Sequence, residues 1–395
     1  MIAYSDYVSD ARIRREAESL AERGDQVDCL CLPHEEGGDG GELRGVRLRP
    51  VRLRRYRGAS TGRYLWSYLV FFVRALLIVA WRHLRQPYDL IQVHTMPDFM
   101  VFAALVPRLL GTRVLLDVHD LMPELYMSKF NLGPERWPIR AITWMERASI
   151  GFAHRAIAVH KPHLQALVDH GSPPAKFEVL LNTPDPAIFA PRARSANGGL
   201  FRIVYHGTLS RRHGLELALR AAALARAEIG GLRFLIIGEG DDLERLLGLS
   251  GELGLEGFVE FTRRAVPVNE LPALLADADL GVVPLKKDSF TRYQLPVKLL
   301  EYVMLGIPVV ATRTPTIEEY FDESMIEFIS GEREQELARS LVRLQRDSGR
   351  RAAMARNAAE FTRNFNWERQ KQVYYRLVDS LAKGNPGGME CSQRL

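Results

Sequence analysis

Residues 288–312 read DSFTRYQLPVKLLEYVMLGIPVVAT and contain the pattern that decides the fold. A helix is predicted to begin at Leu295-Pro296, because proline suits the first helical position. Leu295 is then the N-cap, and it has no side-chain oxygen for the free amides of the first turn. The helix is predicted to end at Gly306, and the apolar run 307–311 has the length of a buried strand. A helix N-terminus beside such a strand favours a phosphate site at the edge of an α/β sheet.

The polar side of this helix contains a cation and an acid. Lys298, Glu301 and Tyr302 share one face of a 3.6-residue wheel, and apolar side chains cover the other face. Glu301 is either a surface acid paired with Lys298 or a carboxylate that accepts hydrogen bonds from ligand hydroxyls. For Lys298, contact with a phosphate and pairing with Glu301 both stay open.

Short apolar runs alternate with helical segments through both halves of the chain. The predicted strands are 26–32, 45–55, 90–94, 113–118, 155–159, 177–181, 201–206, 234–237, 258–261, 280–283 and 307–311. This alternation predicts parallel sheets with helices on both faces. His94 and His119 follow two of the strands, at the edge where open α/β sheets bind ligands.

Three further motifs point in the same direction. GTLSRRHGLELALRA (207–221) and IIGEGDDLERL (236–246) lie upstream of 288–312, and LDVHDLMPELY (116–126) lies in the first half. With these motifs the chain resembles the family-four retaining glycosyltransferases of the GT-B fold, in particular those that build bacterial surface polysaccharides. The resemblance implies an α/β chain of two doubly wound, Rossmann-like domains facing a cleft, with a C-terminal helix that crosses back to the first domain.

The resemblance, together with a segment rich in proline and glycine, gives the domain boundaries. We expect an acceptor-binding domain at 1–184, a linker at 185–199 and a nucleotide-sugar-binding domain at 200–364. The helix at 365–383 is expected to pack on the first domain, and 384–395 to form a flexible tail.

The family transfers a sugar from a nucleotide diphosphate sugar, here a UDP- or GDP-sugar acting as co-substrate, so no cofactor is expected. The donor-binding residues that the resemblance implies are Gly207, Arg211, Arg212, Gly238, Gly240, Leu295, Pro296, Lys298 and Glu301. The loop GTLSRRHG would present its cations to the diphosphate; the other interpretation is a solvated basic turn. The G-x-G turn at Gly238 lacks a third glycine and is weak as a dinucleotide fingerprint.

His119 and Glu301 are the expected catalytic residues. By resemblance His119 lies beside the reacting sugar, and the other interpretation is a structural histidine. The reaction would retain the anomeric configuration, with the leaving diphosphate accepting the acceptor's proton and nearby cations stabilising its charge. The acceptor, a saccharide or a lipid diphosphate, is expected near Asp10, Arg12, Asp98 and Glu124. No metal-ligand spacing is present in the sequence, and no metal is expected.

The sequence departs from the family at one position. Many relatives have two glutamates eight positions apart in this region; Glu301 matches the second, and Tyr293 stands at the first. Two alternatives therefore stay open beside the transferase. One is a sugar-nucleotide epimerase on the same fold, and the other is a catalytically silent, membrane-associated partner subunit.

The charge of the chain is unevenly distributed. The net charge is +5, but residues 43–88, here called the basic stretch, contain eleven arginines and no acid. Within it, 64–85 is an apolar helix interrupted by Arg74, so a spanning helix is disfavoured. It is either a buried helix or an interfacial one, because its tryptophans and flanking arginines suit an anionic membrane surface. No base-reading motif accompanies the charge, so nucleic acid is not expected.

The cellular location follows from two patterns. Met1 is followed by no basic segment and no apolar run of the signal-peptide kind, so the protein is expected in the cytoplasm, peripheral to the inner face of the membrane. Three cysteines without a disulfide or zinc spacing fit a reducing compartment. Residues 1–4 are short for a first buried strand, which suggests a natural start a few codons upstream.

Overall fold

The computed structural model of the chain describes residues 1–34, 40–53, 61–191 and 199–382. The chain divides into two compact units. Unit 1 comprises Met1–Asn182 and Glu368–Leu395, and unit 2 comprises Thr183–Trp367. The segment expected as a linker is described at 185–191 and at 199, and the expected tail lies outside the described residues.

Unit 1 is built on an eight-stranded sheet in the order β3-β4-β2-β1-β5-β6-β7-β8. Its strands are β1 (Ile2–Asp6), β2 (Val27–Leu32), β3 (Gly41–Leu43), β4 (Val46–Pro50), β5 (Leu90–His94), β6 (Arg113–Val118), β7 (Arg155–Ala158) and β8 (Phe177–Val179). Neighbouring strands are parallel except β3 with β4, which are antiparallel.

The connections of unit 1 are mostly helical. Its helices are α1 (Ala11–Glu22), α2 (Thr61–Arg85), α3 (Leu105–Leu109), α4 (Met122–Phe130), α5 (Trp137–Phe152) and α6 (Lys161–Asp169). A 3-10 helix, Asp98–Ala104, precedes α3. Helices that link parallel strands cover the faces of the sheet and bury its apolar side chains.

Unit 2 has a six-stranded, fully parallel sheet in the order β11-β10-β9-β12-β13-β14. Its strands are β9 (Phe201–His206), β10 (Leu232–Ile237), β11 (Val259–Phe261), β12 (Leu280–Val283), β13 (Val309–Thr312) and β14 (Glu327–Ile329). Its helices are α7 (Leu215–Ala225), α8 (Leu243–Glu252), α9 (Leu271–Leu275), α10 (Val297–Met304), α11 (Pro315–Glu318), α12 (Glu334–Arg346) and α13 (Ser348–Asn364).

The last described helix, α14 (Trp367–Ala382), belongs to unit 1. The hydroxyl of Tyr374 donates to Gln92 at 2.6 Å, and that of Tyr375 donates to the carbonyl of Ser19 at 2.5 Å. The C-terminal helix therefore packs on the first half of the chain, as the resemblance implied.

Several predicted boundaries were wrong for local reasons. The strand predicted at 45–55 ends at Pro50, whose ring leaves no amide for the ladder, and 54–60 lie outside the described residues. The three-residue strands β3 and β14 were not predicted from the sequence. β13 begins at Val309 rather than at residue 307, after Pro308.

Helix α2 has one buried and one exposed side. Ser67, Phe71 and Ala75 are buried, and the hydroxyls of Tyr4 and Ser67 lie 2.5 Å apart. Within the described ranges, Gly62–Arg85 is the one helix long and apolar enough to cross a membrane, with a mean hydropathy of 1.8 in its most apolar window. The buried side agrees with the interpretation as a buried helix, and the interfacial interpretation stays a prediction.

Candidate functional site

The N-terminus of α10 begins one residue later than predicted. Val297 is its first residue, and Pro296, not Leu295, is the N-cap. Pro296 has no side-chain acceptor for the first amides of the helix, so the reason for expecting an anion there is unchanged. At the other end Gly306 has a φ of 73°, and the amide of Ile307 donates to the carbonyl of Tyr302, which is a glycine-terminated helix.

Lys298 lies at this N-terminus and contacts an aromatic side chain. Its Nζ donates to the hydroxyl of Tyr205 at 2.6 Å and lies 3.8 Å from the centre of that ring. Burial lowers the pKa of the Lys298 ammonium to about 7, and the Glu301 carboxylate opposes this shift. The described residues include no ion pair between Lys298 and Glu301, so the interpretation of a simple surface pair is wrong.

Glu301 and Tyr302 are both buried, so the polar face predicted from the helical wheel is not a solvent face. Oε2 of Glu301 lies 3.0 Å from Nε2 of His206, without the alignment of a hydrogen bond. The hydroxyl of Tyr302 accepts from the amide of His206 at 3.0 Å. Glu301 is therefore held beside the end of β9, and its carboxylate keeps acceptor capacity for a ligand hydroxyl.

The loops after β9 and β10 touch through their glycines. A Cβ on Gly238, whose φ is 141°, would lie 2.1 Å from the carbonyl oxygen of Gly207. A Cβ on Gly240 would lie 2.1 Å from the carbonyl oxygen of Leu209. The amide of Leu209 donates to the backbone carbonyl of Glu239. These glycines allow the two loops to pack, which in turn places Gly207 beside Nζ of Lys298.

The three basic residues of the loop after β9 differ in their surroundings. Arg211 is highly exposed, with Nε 3.7 Å from buried Asp242. The Arg212 guanidinium lies over the ring of Phe290 at 5.3 Å, and its buried Nε has no hydrogen-bond partner in the described part of the chain. Burial, and then Lys298, lower the pKa of His213 to about 4. His213 is therefore neutral at pH 7, so the cations that this loop presents are Arg211 and Arg212.

In unit 1, His119 follows β6 and shares a carboxylate with His94. Oδ2 of Asp117 lies 3.1 Å from Nε2 of His119 and 3.1 Å from Nδ1 of His94. A carboxylate only accepts hydrogen bonds, so a proton on Nε2 of His119 or on Nδ1 of His94 points to Asp117. In the neutral tautomer whose Nε2–H points to Asp117, Nδ1 of His119 is an acceptor on a partly exposed ring.

Arg12 and Asp10 serve the protein itself, contrary to their expected role as open acceptor contacts. The buried Arg12 guanidinium pairs with Asp117 and Glu16. Burial would raise the pKa of Asp117, but Arg12 and the two histidines hold that pKa well below its usual range. Asp10 caps α1 by accepting from the amide of Ile13, and its other oxygen accepts from the hydroxyl of Ser5.

Glu124 and Asp98 lie in a second buried acidic cluster. His170 bridges Glu124, at 3.0 Å, and Glu146, at 2.7 Å. These hydrogen bonds raise the pKa of His170 to about 10 although burial opposes them. Burial, then Glu146 and Asp120, raise the pKa of Asp98 well above its ordinary value. Asp98 and Glu124 are thus both neighbours of Glu146, whereas Arg12 lies with His94 and His119 around Asp117.

His94, Asp117 and His119 place their ligand atoms within 4.8 Å of one another, close enough to surround a metal ion. The guanidinium of Arg12 on the same carboxylate disfavours a second cation there. The absence of a metal requirement stays a prediction.

Several groups of the two sites were missed from the sequence. Asp117 was visible in principle, because it lies two residues before His119 and strand side chains alternate. His206 immediately precedes the predicted loop at Gly207. No sequence pattern pointed to Tyr205 beneath Lys298 or to Glu146 beside His170.

Both halves of the chain match protein-family models. Residues 9–183 match the model described as glycosyl transferase 4-like domain, and residues 201–347 match the model described as glycosyl transferases group 1.

Two relatives are similar over part of their length. The D-inositol 3-phosphate glycosyltransferase of Salinispora tropica is 31% identical over 248 residues, which cover 57% of this chain and 50% of that protein. The amylovoran biosynthesis glycosyltransferase AmsK of Erwinia amylovora is 26% identical, with 54% of each chain covered. The chain spans about half the length of these relatives.

Solved structures share the fold along nearly the whole chain. Sucrose-phosphate synthase from Thermosynechococcus elongatus has a TM-score of 0.78 at 19% identity, covering 97% of this chain and 99% of that one. HepE from Anabaena, in complex with UDP-glucose, has a TM-score of 0.71 at 16% identity, covering 96% and 99%. The fold is that of the GT-B glycosyltransferases, as expected from the sequence.

Proposed function

Since glycosyltransferase models match both of its halves, the chain belongs to the group-1 and 4-like glycosyltransferases, and we propose that it transfers a sugar from a nucleotide diphosphate sugar to a saccharide acceptor. Unit 2 binds the donor and unit 1 binds the acceptor. The reaction retains the anomeric configuration, the leaving diphosphate takes the acceptor's proton, and no cofactor is required.

The observation that carries this proposal is the cationic site at the N-terminus of α10. Nζ of Lys298 contacts a tyrosine hydroxyl rather than a carboxylate, and the first turn of α10 has no side-chain cap. Arg212 contributes a buried donor without a partner in the described part of the chain. Unpaired positive charge of this kind is costly to bury, and a bound diphosphate offsets that cost.

The remaining donor contacts follow from the geometry around this site. Gly207 allows close approach of the diphosphate to Lys298, and Arg211 supplies a more exposed charge. Glu301 accepts hydrogen bonds from hydroxyls of the donor while His206 holds it from the side. HepE was solved with UDP-glucose, which supports a UDP-sugar, and a GDP-sugar is the other donor to test.

On the acceptor side, His119 presents an acceptor nitrogen whose tautomer Asp117 fixes. We assign it the role of a group that orients a hydroxyl of the reacting sugar and stabilises developing positive charge. Asp98, whose buried Oδ1 has no hydrogen-bond partner in the described part of the chain, is the favoured acceptor candidate, whereas Arg12 and Glu124 are paired within the protein.

We place the reaction on the inner face of a membrane, with a lipid-linked acceptor. AmsK is named for the biosynthesis of a polysaccharide, amylovoran, which supports a saccharide acceptor in polysaccharide assembly. The basic stretch attracts anionic lipids, at about 1 kcal/mol for each arginine near the surface. The exposed side of α2, with Trp66 and Trp81, adds apolar contact.

Ligand-dependent melting tests the donor assignment. A nucleotide that binds only the folded protein raises the Tm as its concentration exceeds its Kd. We expect UDP-glucose or GDP-mannose to raise the Tm of the full chain, the free diphosphate to do the same, and uridine or guanosine to have far less effect.

Transfer itself is measured by release of the nucleoside diphosphate in the presence of a lipid-linked saccharide, with the anomeric configuration of the product read by NMR. Donor binding without transfer to any acceptor favours the silent partner subunit, which Tyr293 at the first glutamate position suggested. If neither class of donor raises the Tm, the proposed function is wrong.

A further inference from the structure

Four helical connections of unit 1 lie on one face of its sheet. The chain passes from β4 to β5 through α2, from β5 to β6 through α3, from β6 to β7 through α4 and α5, and from β7 to β8 through α6. Each step moves in the same direction along the strand order. Because crossovers between parallel strands are right-handed, helices of crossovers in one direction lie on one face. The helix α1 connects β1 to β2 in the opposite direction and lies on the other face.

Ring contacts join the first three of these connections into one layer, here called the α2–α5 layer. Phe72 of α2 meets Phe99 of the 3-10 helix with ring centres 5.7 Å apart, and Phe102 of that helix meets Phe152 of α5 at 5.0 Å. The layer is therefore continuous beneath its outer surface.

The two faces of the sheet differ in what covers them. On the α1 face, α14 covers the helix through Tyr375 and through the ion pair of Arg23 with Asp379. The α2–α5 layer has no such cover among the described residues. Thirteen of the eighteen exposed large apolar side chains in the described ranges lie on or directly beside its helices: Leu65, Trp66, Leu69, Val73, Leu77, Trp81, Leu84, Leu105, Leu109, Leu110, Phe130, Trp137 and Trp144.

The helix α5 has a stripe of tryptophan and arginine that the basic stretch does not include. Trp137, Arg140, Trp144 and Arg147 follow one another at three- and four-residue spacings, which places them on one side of the helix. Trp137 is 80% exposed and Trp144 is 64% exposed, and both arginines are exposed. No acid lies on this stripe, since Glu146 is buried.

We propose that unit 1 lies flat on an anionic lipid bilayer through the whole α2–α5 layer, with the Trp137–Arg147 stripe of α5 as a second anchor beside α2. This proposal rests on the proposed function for the membrane location and for the contact of α2, and it adds α5 as an anchor that the proposed function does not include. Tryptophan favours the headgroup region, arginine attracts anionic lipid, and the leucines of α3 between the two anchors extend the apolar contact. A second copy of the chain would bring like charges together on this face, which makes it the poorer occupant.

Vesicle sedimentation with paired variants tests the second anchor. We expect Trp137→Ser with Trp144→Ser to weaken binding to anionic vesicles by at least about tenfold. Arg140→Gln with Arg147→Gln is expected to weaken it by about fivefold for each charge removed, and less at high salt. The matched control is Leu224→Ser with Leu274→Ser, which removes two exposed leucines of unit 2 and leaves vesicle binding unchanged.

Fluorescence supplies a readout that does not depend on lost affinity. In a Trp66→Phe, Trp81→Phe variant the fluorophores are Trp137, Trp144 and the buried Trp367. Anionic vesicles should shift this emission to the blue, and lipids with bromine in their acyl chains should quench it.

The outcomes separate the possibilities. Equal vesicle binding by the tryptophan variant and the unit 2 control, or unshifted emission, overturns the proposal. Dimerisation in solution that the tryptophan substitutions abolish, without vesicle binding, assigns the layer to a second copy and also overturns it. The melting response to donor is expected to be the same in all these variants, so a failure of donor binding is a separate result that bears on the proposed function alone.

Discussion

In unit 1 the buried charges pair with one another, whereas in unit 2 the partly buried cations Lys298 and Arg212 face aromatic rings near the uncapped end of a helix. Arg12 forms ion pairs with Asp117 and Glu16, and His170 pairs with Glu124 and Glu146. Lys298 has the hydroxyl of Tyr205. An internally neutralised site suits a ligand read through hydroxyl groups, and a site with excess positive charge suits an anion. Changes to the first should therefore appear in stability, and changes to the second in ligand binding.

The largest expected effect concerns the buried pair of unit 1. Asp117→Asn leaves the Arg12 guanidinium without its closest carboxylate, and breaking one partner of a buried ion pair costs about 3–5 kcal/mol of unfolding free energy. Urea unfolding measures it. The control Asp379→Asn removes an exposed partner of Arg23 and should cost less than about 1 kcal/mol. If the two variants lose similar stability, the pair in unit 1 is not a structural one.

The next effect concerns catalysis at unit 2. Glu301→Ala removes the carboxylate that we expect to accept from donor hydroxyls, and loss of one such transition-state contact lowers kcat by about a hundredfold to a thousandfold. The fold should persist, with a Tm near that of the wild type. Glu318→Ala, at an exposed ion pair of the same unit, should keep normal turnover. Wild-type kcat/KM in Glu301→Ala would mean that the site is wrongly placed.

Lys298→Met is expected to weaken binding of the nucleoside diphosphate by about tenfold to a hundredfold, the range for hydrogen bonds to charged groups. The pH dependence gives a sharper test. A bound anion favours the charged amine, whose pKa without ligand is about 7, so wild-type affinity should fall as pH rises from 7 to 9. Calorimetry should show this fall in the wild type and in Lys371→Met, a control on α14, but not in Lys298→Met.

Alanines at Arg211 and Arg212 together should weaken diphosphate binding by about tenfold, because one of the two charges is largely screened by solvent. The nucleoside alone should bind as before. The control Arg220→Ala with Arg346→Ala removes the same net charge elsewhere in unit 2. Equal losses for nucleoside and diphosphate would show that the loop does not contact phosphate.

The last prediction is a pH dependence of stability in unit 1. Folding raises the pKa of His170 from 6.5 to about 10. Its stabilising contribution is complete below pH 6.5 and is lost as the pH rises through about 10. His170→Gln should flatten the decline in unfolding free energy across that window. A decline of the same steepness in both proteins would assign it to other groups.

The strands that the sequence predicted best are those with the strongest local signal. β5, β6, β9 and β12 have the predicted bounds, because each is a short run made mostly of apolar residues. The glycine-terminated end of α10 was likewise predictable from Gly306 alone. The start of α10 was missed by one residue, since proline is compatible with both the N-cap and the first helical position.

The sequence by itself determined the alternation of strands and helices, the two-domain family and the short list of polar residues near strand ends, because these follow from periodicity and local motifs. Only the tertiary structure decided which of those residues meet. Arg12 and Asp117 are 105 positions apart, and Lys298 and Tyr205 are 93 apart. Such pairs depend on strand order and on the face to which each side chain points, and a local pattern contains neither. For that reason the helical wheel suggested a pair between Lys298 and Glu301. In the packed structure Lys298 contacts Tyr205 and Glu301 lies beside His206.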